Sequence, residues 1–386
     1  MNKTGGNSMS EYQKVIRGRE SLRKLPELSG KLGISKPLIV GMEPLISTLI
    51  KKNPWLVTAP VFTGFHSNPD LKDSEEGTGM YVRENCDGLI SVGGGSSIDT
   101  AKAIKARLNT QSENDVISGR LEKCISCPHI AVPGTAGTGS EATQIAVMYV
   151  DGTKVSLNHT SLRPDGVILD ASLLDSLPLY HKKSCALDAL SQGIESYWSR
   201  RSNDDSKVHA FLAVIGVLDN LKAYLAGDPH AAEEMLDASY QSGKAIQITR
   251  TTAAHAMSYM LTKKMGLAHG HACFVTLPVL WESMQEKDEM QDILNDLSTK
   301  MRLGDIRMVP KLLRGILYDL EMEIPPAPDE NVLEELACSV NTDRLSNHPV
   351  QMTKEEIKQV YRRAMTPLRE NERQACLDIW RYYGRE

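Results

Sequence analysis

The stretch SVGGGSSIDTAKA, residues 91–103, decides the fold of the first half of the chain. It completes an apolar run, GLISV, and passes through three glycines into a helical pattern. Glycine lets a backbone approach a ligand closely, and a helix N-terminus presents free N–H groups that favour phosphate. The stretch is neither the spaced G-x-G-x-x-G nor a P-loop, because the P-loop lysine is missing. Alone, it fits a plain strand-to-helix turn as well as a nucleotide site.

A second loop of similar composition favours the nucleotide site. VPGTAGTGSEAT, residues 132–143, also follows an apolar run and is rich in Gly, Ser and Thr. Parallel sheets bind nucleotide cofactors in a crevice at their strand ends, where such loops meet. The two loops together therefore predict a nucleotide cofactor.

Short apolar runs alternate with helical patterns from about residue 36 to 175, which predicts a parallel, doubly wound sheet. The predicted strands are 36–41, 55–62, 88–95, 127–134 and 166–170. AVMYVDGTKVSL, residues 146–157, predicts a β-hairpin at Asp151-Gly152. From about residue 177 the pattern is helical, with breaks at 227–229, Gly266 and 325–328. We expect an α/β Rossmann-like dinucleotide-binding domain over 1–176 and an all-α domain, holding metal and substrate, over 177–386.

The composition is that of an ordinary globular protein, with 41% hydrophobic and 24% charged residues and a net charge of −5 over 386 residues. A basic stripe for nucleic acid, an apolar run of membrane-spanning length and an N-terminal signal region are all missing. Seven cysteines, an odd number, fit a reducing compartment. Cys124 and Cys127 form one C-x-x-C, which we interpret as ordinary cysteines, with a redox or zinc pair as the alternative. We expect a cytoplasmic protein without nucleic-acid or membrane partners.

A metal site is one interpretation of the histidines in AAHAMSYMLTKKMGLAHGHA, residues 253–272. His255 and His269 are the first candidate ligands, since a catalytic divalent metal takes three or four N/O side chains. CALDALSQGIESYWS, residues 185–199, adds Asp188 and Gln192, four apart on one helix face, with Glu195 nearby. The alternative is a salt bridge for Asp188 and core hydrogen bonds for the histidines.

Several long motifs resemble the iron-containing, or group III, alcohol dehydrogenases over nearly the whole chain. They are, in order, HSNPD (66–70), GGGSSIDTAK, GTAGTGSEAT, KVSLNHTSLRPDGVILD, DALSQGIE and HAMSYMLTKKMGLAHGHA. The resemblance implies a dinucleotide-binding domain, a helical domain and an active site between them. It also implies NAD(H) and a divalent metal, iron in the first place and otherwise zinc or manganese.

The resemblance carries over to single residues. The residues implied at the cofactor are Gly94, Gly95, Ser96, Asp99, Thr135, Thr138 and Ser140. The implied metal ligands are Asp188, Gln192, His255 and His269. The chain departs from the family at Gln192 and at Tyr259, where histidines are usual, and an amide oxygen is the weaker ligand.

Catalytic roles are expected for His271, as a proton relay, and for Tyr259, which could hydrogen-bond substrate or cofactor or merely pack. NAD is favoured over NADP, because Met42 and Glu43 follow the strand that selects the ribose and no Arg or Lys is near. Relatives are often dimers, so we expect a homo-oligomer.

The substrate is expected to be a small anionic aldehyde. Arg250 and Thr251 precede His255 closely, and a guanidinium beside a metal-bound aldehyde favours an anionic head group. ITRTTAAHA followed by HGHA resembles the branch that reduces phosphonoacetaldehyde or sulfoacetaldehyde. Alternatively, Arg250 pairs with Glu141, Asp188 or Glu195. Other functions left open are a general short-chain alcohol dehydrogenase, a lyase like dehydroquinate synthase, and a nucleotide-binding protein that has lost its metal.

Overall fold

The computed structural model describes residues 13–110, 112–121, 125–322, 329–340 and 345–383. The chain divides into two compact units. The first unit takes the chain up to residue 134 together with 143–173, and the second takes 135–142 and everything from residue 174. The division at 173/174 lies three residues from the predicted boundary, whereas the loop 135–142 groups with the helical unit.

The first unit is built on six parallel strands. These are β1 (Lys14–Arg17), β2 (Pro37–Gly41), β3 (Val61–Phe62), β4 (Gly88–Gly93), β5 (His129–Pro133) and β8 (Gly166–Leu169). Their order is β1-β8-β5-β4-β2-β3, so the predicted parallel sheet is confirmed. Ile39 and Ile90 pack in one core cluster and Leu38 and Leu89 in another, since alternate strand residues face opposite sides of a sheet. The sheet therefore has an apolar layer on each face.

In the described part of the first unit, α-helices and a hairpin accompany the sheet. The helices are α1 (Leu25–Leu32), α2 (Leu45–Lys52), α3 (Asp73–Arg83), α4 (Gly95–Leu108) and α5 (Glu113–Ser118). β6 (Ile145–Val150) and β7 (Thr153–Asn158) form the predicted hairpin. It turns at Asp151 and Gly152, which both have positive φ, 49° and 76°.

Two strands differ from the sequence prediction. The strand expected over 55–62 was wrong for its first part, since Pro54–Leu56 is a 3₁₀ turn and only Val61–Phe62 is paired. Pro54 and Pro60 have no N–H to donate, which shortens the ladder. β1 was not predicted, because four residues at a sheet edge carry too little periodicity.

The second unit is helical, as predicted. Its helices are α6 (Leu179–Trp198), α7 (Asp204–Leu225), α8 (Pro229–Thr249), α9 (Ala253–Met265), α10 (His269–Gln285), α11 (Gln291–Lys300), α12 (Met308–Asp319), α13 (Glu330–Cys338), α14 (Lys354–Ala364) and α15 (Glu370–Tyr382). The predicted breaks at 227–229 and Gly266 are confirmed, whereas the break at 325–328 and the residue Cys124 lie outside the described residues.

The core of the second unit lies along α6 and α10. α6 is buried continuously from Ala186 to Trp198, and the Trp198 and Trp281 rings lie 5.7 Å apart, centre to centre. Within the described residues, α7 alone has the length and apolar content to cross a membrane, a test that core helices also pass. α7 packs against α6 and α8.

Candidate metal centre

The imidazole of His255 lies between two buried carboxylates. Its Nε2 is 3.2 Å from Asp188 Oδ1, and its Nδ1 contacts Glu195 Oε2. Asp188 and Glu195 are seven residues apart on α6, two helical turns, so both face the same side. A carboxylate on one ring nitrogen fixes the orientation of a ligating histidine and the role of the other nitrogen. Nε2 of His255 is therefore the nitrogen available to a metal.

Glu195 also holds the start of α9. Its Oε1 accepts hydrogen bonds from Thr252 N (3.0 Å), Thr252 Oγ1 (2.7 Å) and Ala254 N (2.9 Å). These N–H groups belong to the first turn of α9, where a negative charge is favourable. A fully buried carboxylate is thereby satisfied, and His255 is placed one turn into the helix.

His269 reaches the same place because α10 packs very closely on α6. α9 ends at Gly266 in the left-handed conformation (φ 69°), and α10 begins at His269. At Gly270 a Cβ would overlap the Ser184 carbonyl oxygen and lie 2.7 Å from Asp188 Cβ. Only glycine permits this approach. The His269 ring then lies 5.3 Å from the His255 ring, centre to centre.

Cys273 completes a group of four donors. It lies one turn after His269 on α10, is fully buried, and has its Sγ 3.8 Å from both ring nitrogens of His269. One donor atom from each of Asp188, His255, His269 and Cys273 lies within 4.8 Å of the others. No other such group of His, Cys, Asp and Glu occurs in the part of the chain that the structure describes. Two imidazoles, a carboxylate and a thiol are a donor set that fits a divalent transition metal.

Opposite charges within this group favour the ionised form of each side chain. Burial opposes ionisation of Asp188 and Glu195, but contact with His255 outweighs it and keeps the pKa of both carboxyls below its usual value. The pKa of His255 is well above its usual value despite burial, because of the charges of Cys273 and Glu195. Burial opposes ionisation of Cys273 too, yet His255 and His269 lower the pKa of its thiol to about 6. Deprotonated carboxylate and thiolate are the forms that bind metal.

Gln192 lies beside this group without its oxygen facing it. Gln192 is buried, its amide contacts Asp188, and its Oε1 accepts a hydrogen bond of 2.9 Å from Ser242 Oγ on α8. Ligation of a metal by Gln192 stays a prediction.

The two expected catalytic residues lie elsewhere on the same helices. His271 is two residues past His269, so helical geometry turns it away, and its Nδ1 is 3.3 Å from the hydroxyl of Tyr180. Tyr259 is half-buried, with Lys263 Nζ 5.9 Å from its ring centre. Tyr180 had no sequence signal, because it stands at the start of α6, far along the chain from His271.

Arg250 has an unusual backbone and, among the described residues, no acid partner. Its φ of 64° and ψ of 177° lie in a region that side-chain-bearing residues rarely adopt, which costs on the order of 1–3 kcal/mol. Asn347 Nδ2 braces this turn, donating to the carbonyls of Thr249 (2.7 Å) and Thr251 (3.0 Å).

Within the described residues, the pairing of Arg250 with Glu141, Asp188 or Glu195 that was left open does not occur. The Arg250 side chain is half-buried, and burial, then the charge of Arg201, lowers the pKa of its guanidinium.

The predicted cofactor residues are divided between the two units. In the first unit, β4 and β5 are neighbours, and Gly134 N donates to Gly93 O (2.8 Å), so both loops begin at the same sheet edge. Asp99 is engaged inside the unit, accepting from Val147 N (2.9 Å) and lying 3.5 Å from Lys102 Nζ.

Gly94 precedes α4, Gly95 begins it, and the Ser96 hydroxyl donates to the Ser67 carbonyl. Thr135, Thr138 and Ser140 belong to the second unit, where Ser140 N donates to Thr138 Oγ1 (3.3 Å). Their contact with a cofactor stays a prediction.

Both parts of the chain match profiles of one protein family. Residues 13–171 match the iron-containing alcohol dehydrogenase domain, and residues 183–365 match the Fe-containing alcohol dehydrogenase family, C-terminal. The phosphonoacetaldehyde reductase of Streptomyces viridochromogenes is 36% identical over 55% of this chain and 57% of its own length. The NAD-dependent methanol dehydrogenase of Bacillus methanolicus is 31% identical over 68% of this chain and 71% of its own.

A solved structure has the same fold. The sulfoacetaldehyde reductase of Bifidobacterium kashiwanohense in complex with NAD+ superimposes with a TM-score of 0.84, at 24% identity, over 92% of this chain and 98% of that one. The chain belongs to the iron-containing alcohol dehydrogenase family, which confirms the resemblance of its motifs. The cofactors of this family are NAD(H) and iron. The chain spans little more than half the length of the first curated relatives that it matches.

Proposed function

We propose that the protein is a metal-dependent NAD(H) alcohol dehydrogenase that reduces a small anionic aldehyde, such as sulfoacetaldehyde or phosphonoacetaldehyde, to the alcohol. The observation that carries the dehydrogenase function is the group of Asp188, His255 and Cys273, all buried, with the half-buried His269, in a member of this family. A protein without metal has no equal support, because the donor group is present. A lyase has no equal support either, because the relatives named above are reductases and dehydrogenases.

The side chains around the group have separate tasks. Asp188, His255 and His269 would hold the metal, and Glu195 fixes the ring of His255 through Nδ1. When bound, the metal supplies a Lewis acid for the substrate oxygen, and NADH supplies the hydride.

His271 is proposed as the proton relay. Its buried ring is turned away from the donor group and contacts Tyr180, which is 40% exposed, so His271 would exchange its proton with solvent through Tyr180. Tyr259 is proposed to hydrogen-bond substrate or cofactor.

Arg250 supports an anionic substrate. Partial burial of a guanidinium is costly unless an opposite charge lies beside it, the described residues supply none to Arg250, and a bound sulfonate or phosphonate would do so. Asn347 hydrogen-bonds the turn that carries Arg250. Thr252, at the end of this turn, hydrogen-bonds Glu195, which in turn contacts His255. Thr251, also half-buried, would add a neutral hydrogen bond. The relative from Streptomyces is named for phosphonoacetaldehyde, a substrate of this class.

The experiment compares charged and neutral aldehydes by following NADH oxidation by the metal-loaded enzyme. Arg250→Ala should lower kcat/KM for sulfoacetaldehyde or phosphonoacetaldehyde by roughly 30-fold to several-thousand-fold, since a lost charge-assisted pair is worth about 2–5 kcal/mol. The parent enzyme and Arg250→Ala should reduce propanal, a neutral aldehyde, equally well. Arg250→Lys should recover only part of the loss, because it keeps the charge without the planar fork.

Arg307→Ala, which removes an exposed arginine paired with Asp305, is the matched control and should leave both rates unchanged. An equal loss for charged and neutral aldehydes would assign Arg250 a structural role. Preference of the parent enzyme for neutral alcohols would instead support the function for which the Bacillus relative is named.

A further inference from the structure

The sulfur of Cys273 lies where a metal ligand is needed. Cys273 follows His269 by four residues, so both side chains leave α10 on the same face. With ligand bonds of about 2.0–2.3 Å, neighbouring ligand atoms of a tetrahedral site are roughly 3.3–3.7 Å apart. The 3.8 Å from Cys273 Sγ to the His269 nitrogens and the 3.2 Å from His255 Nε2 to Asp188 Oδ1 are close to such edges.

Gln192 is poorly placed for the same task. Its single ligating atom, Oε1, is 2.9 Å from the buried hydroxyl of Ser242 and faces α8. The side chain of Gln192 also hydrogen-bonds the Asp188 carboxylate. The amide N–H group must make this contact, because two oxygens would repel each other. A neutral amide oxygen is in any case a weaker ligand for zinc or iron than a thiolate.

We propose that Cys273 Sγ is the fourth protein ligand of the metal and that Gln192 is a positioning residue for Asp188. The inference rests on the proposed function, because it assigns a ligand of the same site. The resulting set is one carboxylate, two imidazoles and one thiolate, whose two negative charges would neutralise a divalent cation in a largely buried site. A thiolate raises affinity for zinc more than for hard cations, so the set selects zinc over manganese or magnesium.

Cobalt(II) tests the assignment directly, because a thiolate ligand gives cobalt an intense near-ultraviolet charge-transfer band that N and O ligands do not give. The full chain is stripped of metal with a chelator and titrated with cobalt, and zinc affinity is measured by competition. The parent protein should show the band at one cobalt per chain.

Cys273→Ser should lose the band and weaken zinc binding by more than about 100-fold, beyond the effect of losing an outer-shell partner. Gln192→Ala should keep the band. Cys376→Ser, a change at another buried cysteine of the second unit, is the matched control and should keep both band and affinity.

Several results would overturn the inference. Tight cobalt binding by the parent without the band would exclude a thiolate ligand while leaving the proposed function intact. The same conclusion follows if Cys273→Ser, with an unchanged melting temperature, keeps parental zinc affinity. Loss of the band in Gln192→Ala would instead show that Gln192 itself helps to hold the metal, which contradicts its role as a positioning residue. If Cys273→Ser fails to fold, the spectra of the parent and of Cys376→Ser decide whether a thiolate other than that of Cys376 is a ligand. Failure of the parent to bind any divalent metal would defeat the proposed function as well.

Discussion

At the scale of single residues, Glu195 on α6 contacts both the ring of His255 and the backbone at the start of α9. One of its oxygens contacts His255 Nδ1, and the other accepts from Thr252 and Ala254 at the start of α9. The first contact keeps the pKa of His255 above its usual value of about 6.5, with the charge of Cys273 contributing more. A metal must displace that proton, so metal affinity should fall as pH falls below this raised pKa.

Glu195→Gln tests this positioning role. The amide removes the negative charge behind His255, so metal affinity should drop by about 10–100-fold. The same change lowers the pKa of His255, so the pH below which zinc affinity declines should move to a lower value. Zinc dissociation constants measured over a pH series check both effects.

Glu289→Gln, at an exposed acid, is the control and should leave the pH profile of zinc affinity unchanged. A weaker affinity with an unshifted pH profile would mean that Glu195 only stabilises α9.

At the scale of elements, the metal centre depends on how closely α10 packs on α6. Gly270 sets this distance, since its Cα faces Ser184 O and Asp188 Cβ with no space for another carbon. α10 carries both His269 and Cys273, so any displacement of the helix moves two donors together.

Gly270→Ala should therefore impair metal binding and stability at once. Overpacking of this kind costs typically about 1–3 kcal/mol, which lowers the melting temperature of the metal-free protein. Zinc content after dialysis should fall as well, because His269 and Cys273 no longer meet Asp188. Gly304→Ala, at an exposed glycine with open space around it, should change neither measurement. Parental zinc content in Gly270→Ala would show that the helix contact does not position the ligands.

At the scale of the whole molecule, the donor group and the glycine loop belong to different units. The donor group lies entirely in the second unit, and the glycine loop before α4 lies in the first. Substitutions in this glycine loop should therefore affect cofactor binding without affecting metal binding.

Gly95→Val places a branched side chain at the first residue of α4, where the proposed cofactor phosphates would approach the backbone. We expect KM for NADH to rise at least about tenfold, equivalent to about 1.4 kcal/mol. Zinc content should stay at the parental level. Gly79→Val, on the exposed side of α3, serves as the control. An unchanged KM in Gly95→Val would remove this loop from the cofactor site.

The local pattern of the chain was enough to predict the parallel sheet, the hairpin at Asp151-Gly152 and the helical second half. Strand and helix periods are written into consecutive residues, so they need no knowledge of distant contacts. Asp188, His255 and His269 were also accessible from the sequence, because histidine and a buried acid are conspicuous on apolar helices.

Only the tertiary structure revealed what surrounds those three residues. Cys273 looks like an ordinary core cysteine until α10 packs on α6, and the contact of Glu195 with His255 requires α6 and α9 to meet. His271 was as prominent in the sequence as His269, and it is the helical phase that turns it towards Tyr180. Sequence determined which donors were present, whereas packing of three helices decided which of them share one centre, because a metal site is defined by distances between residues far apart in the chain.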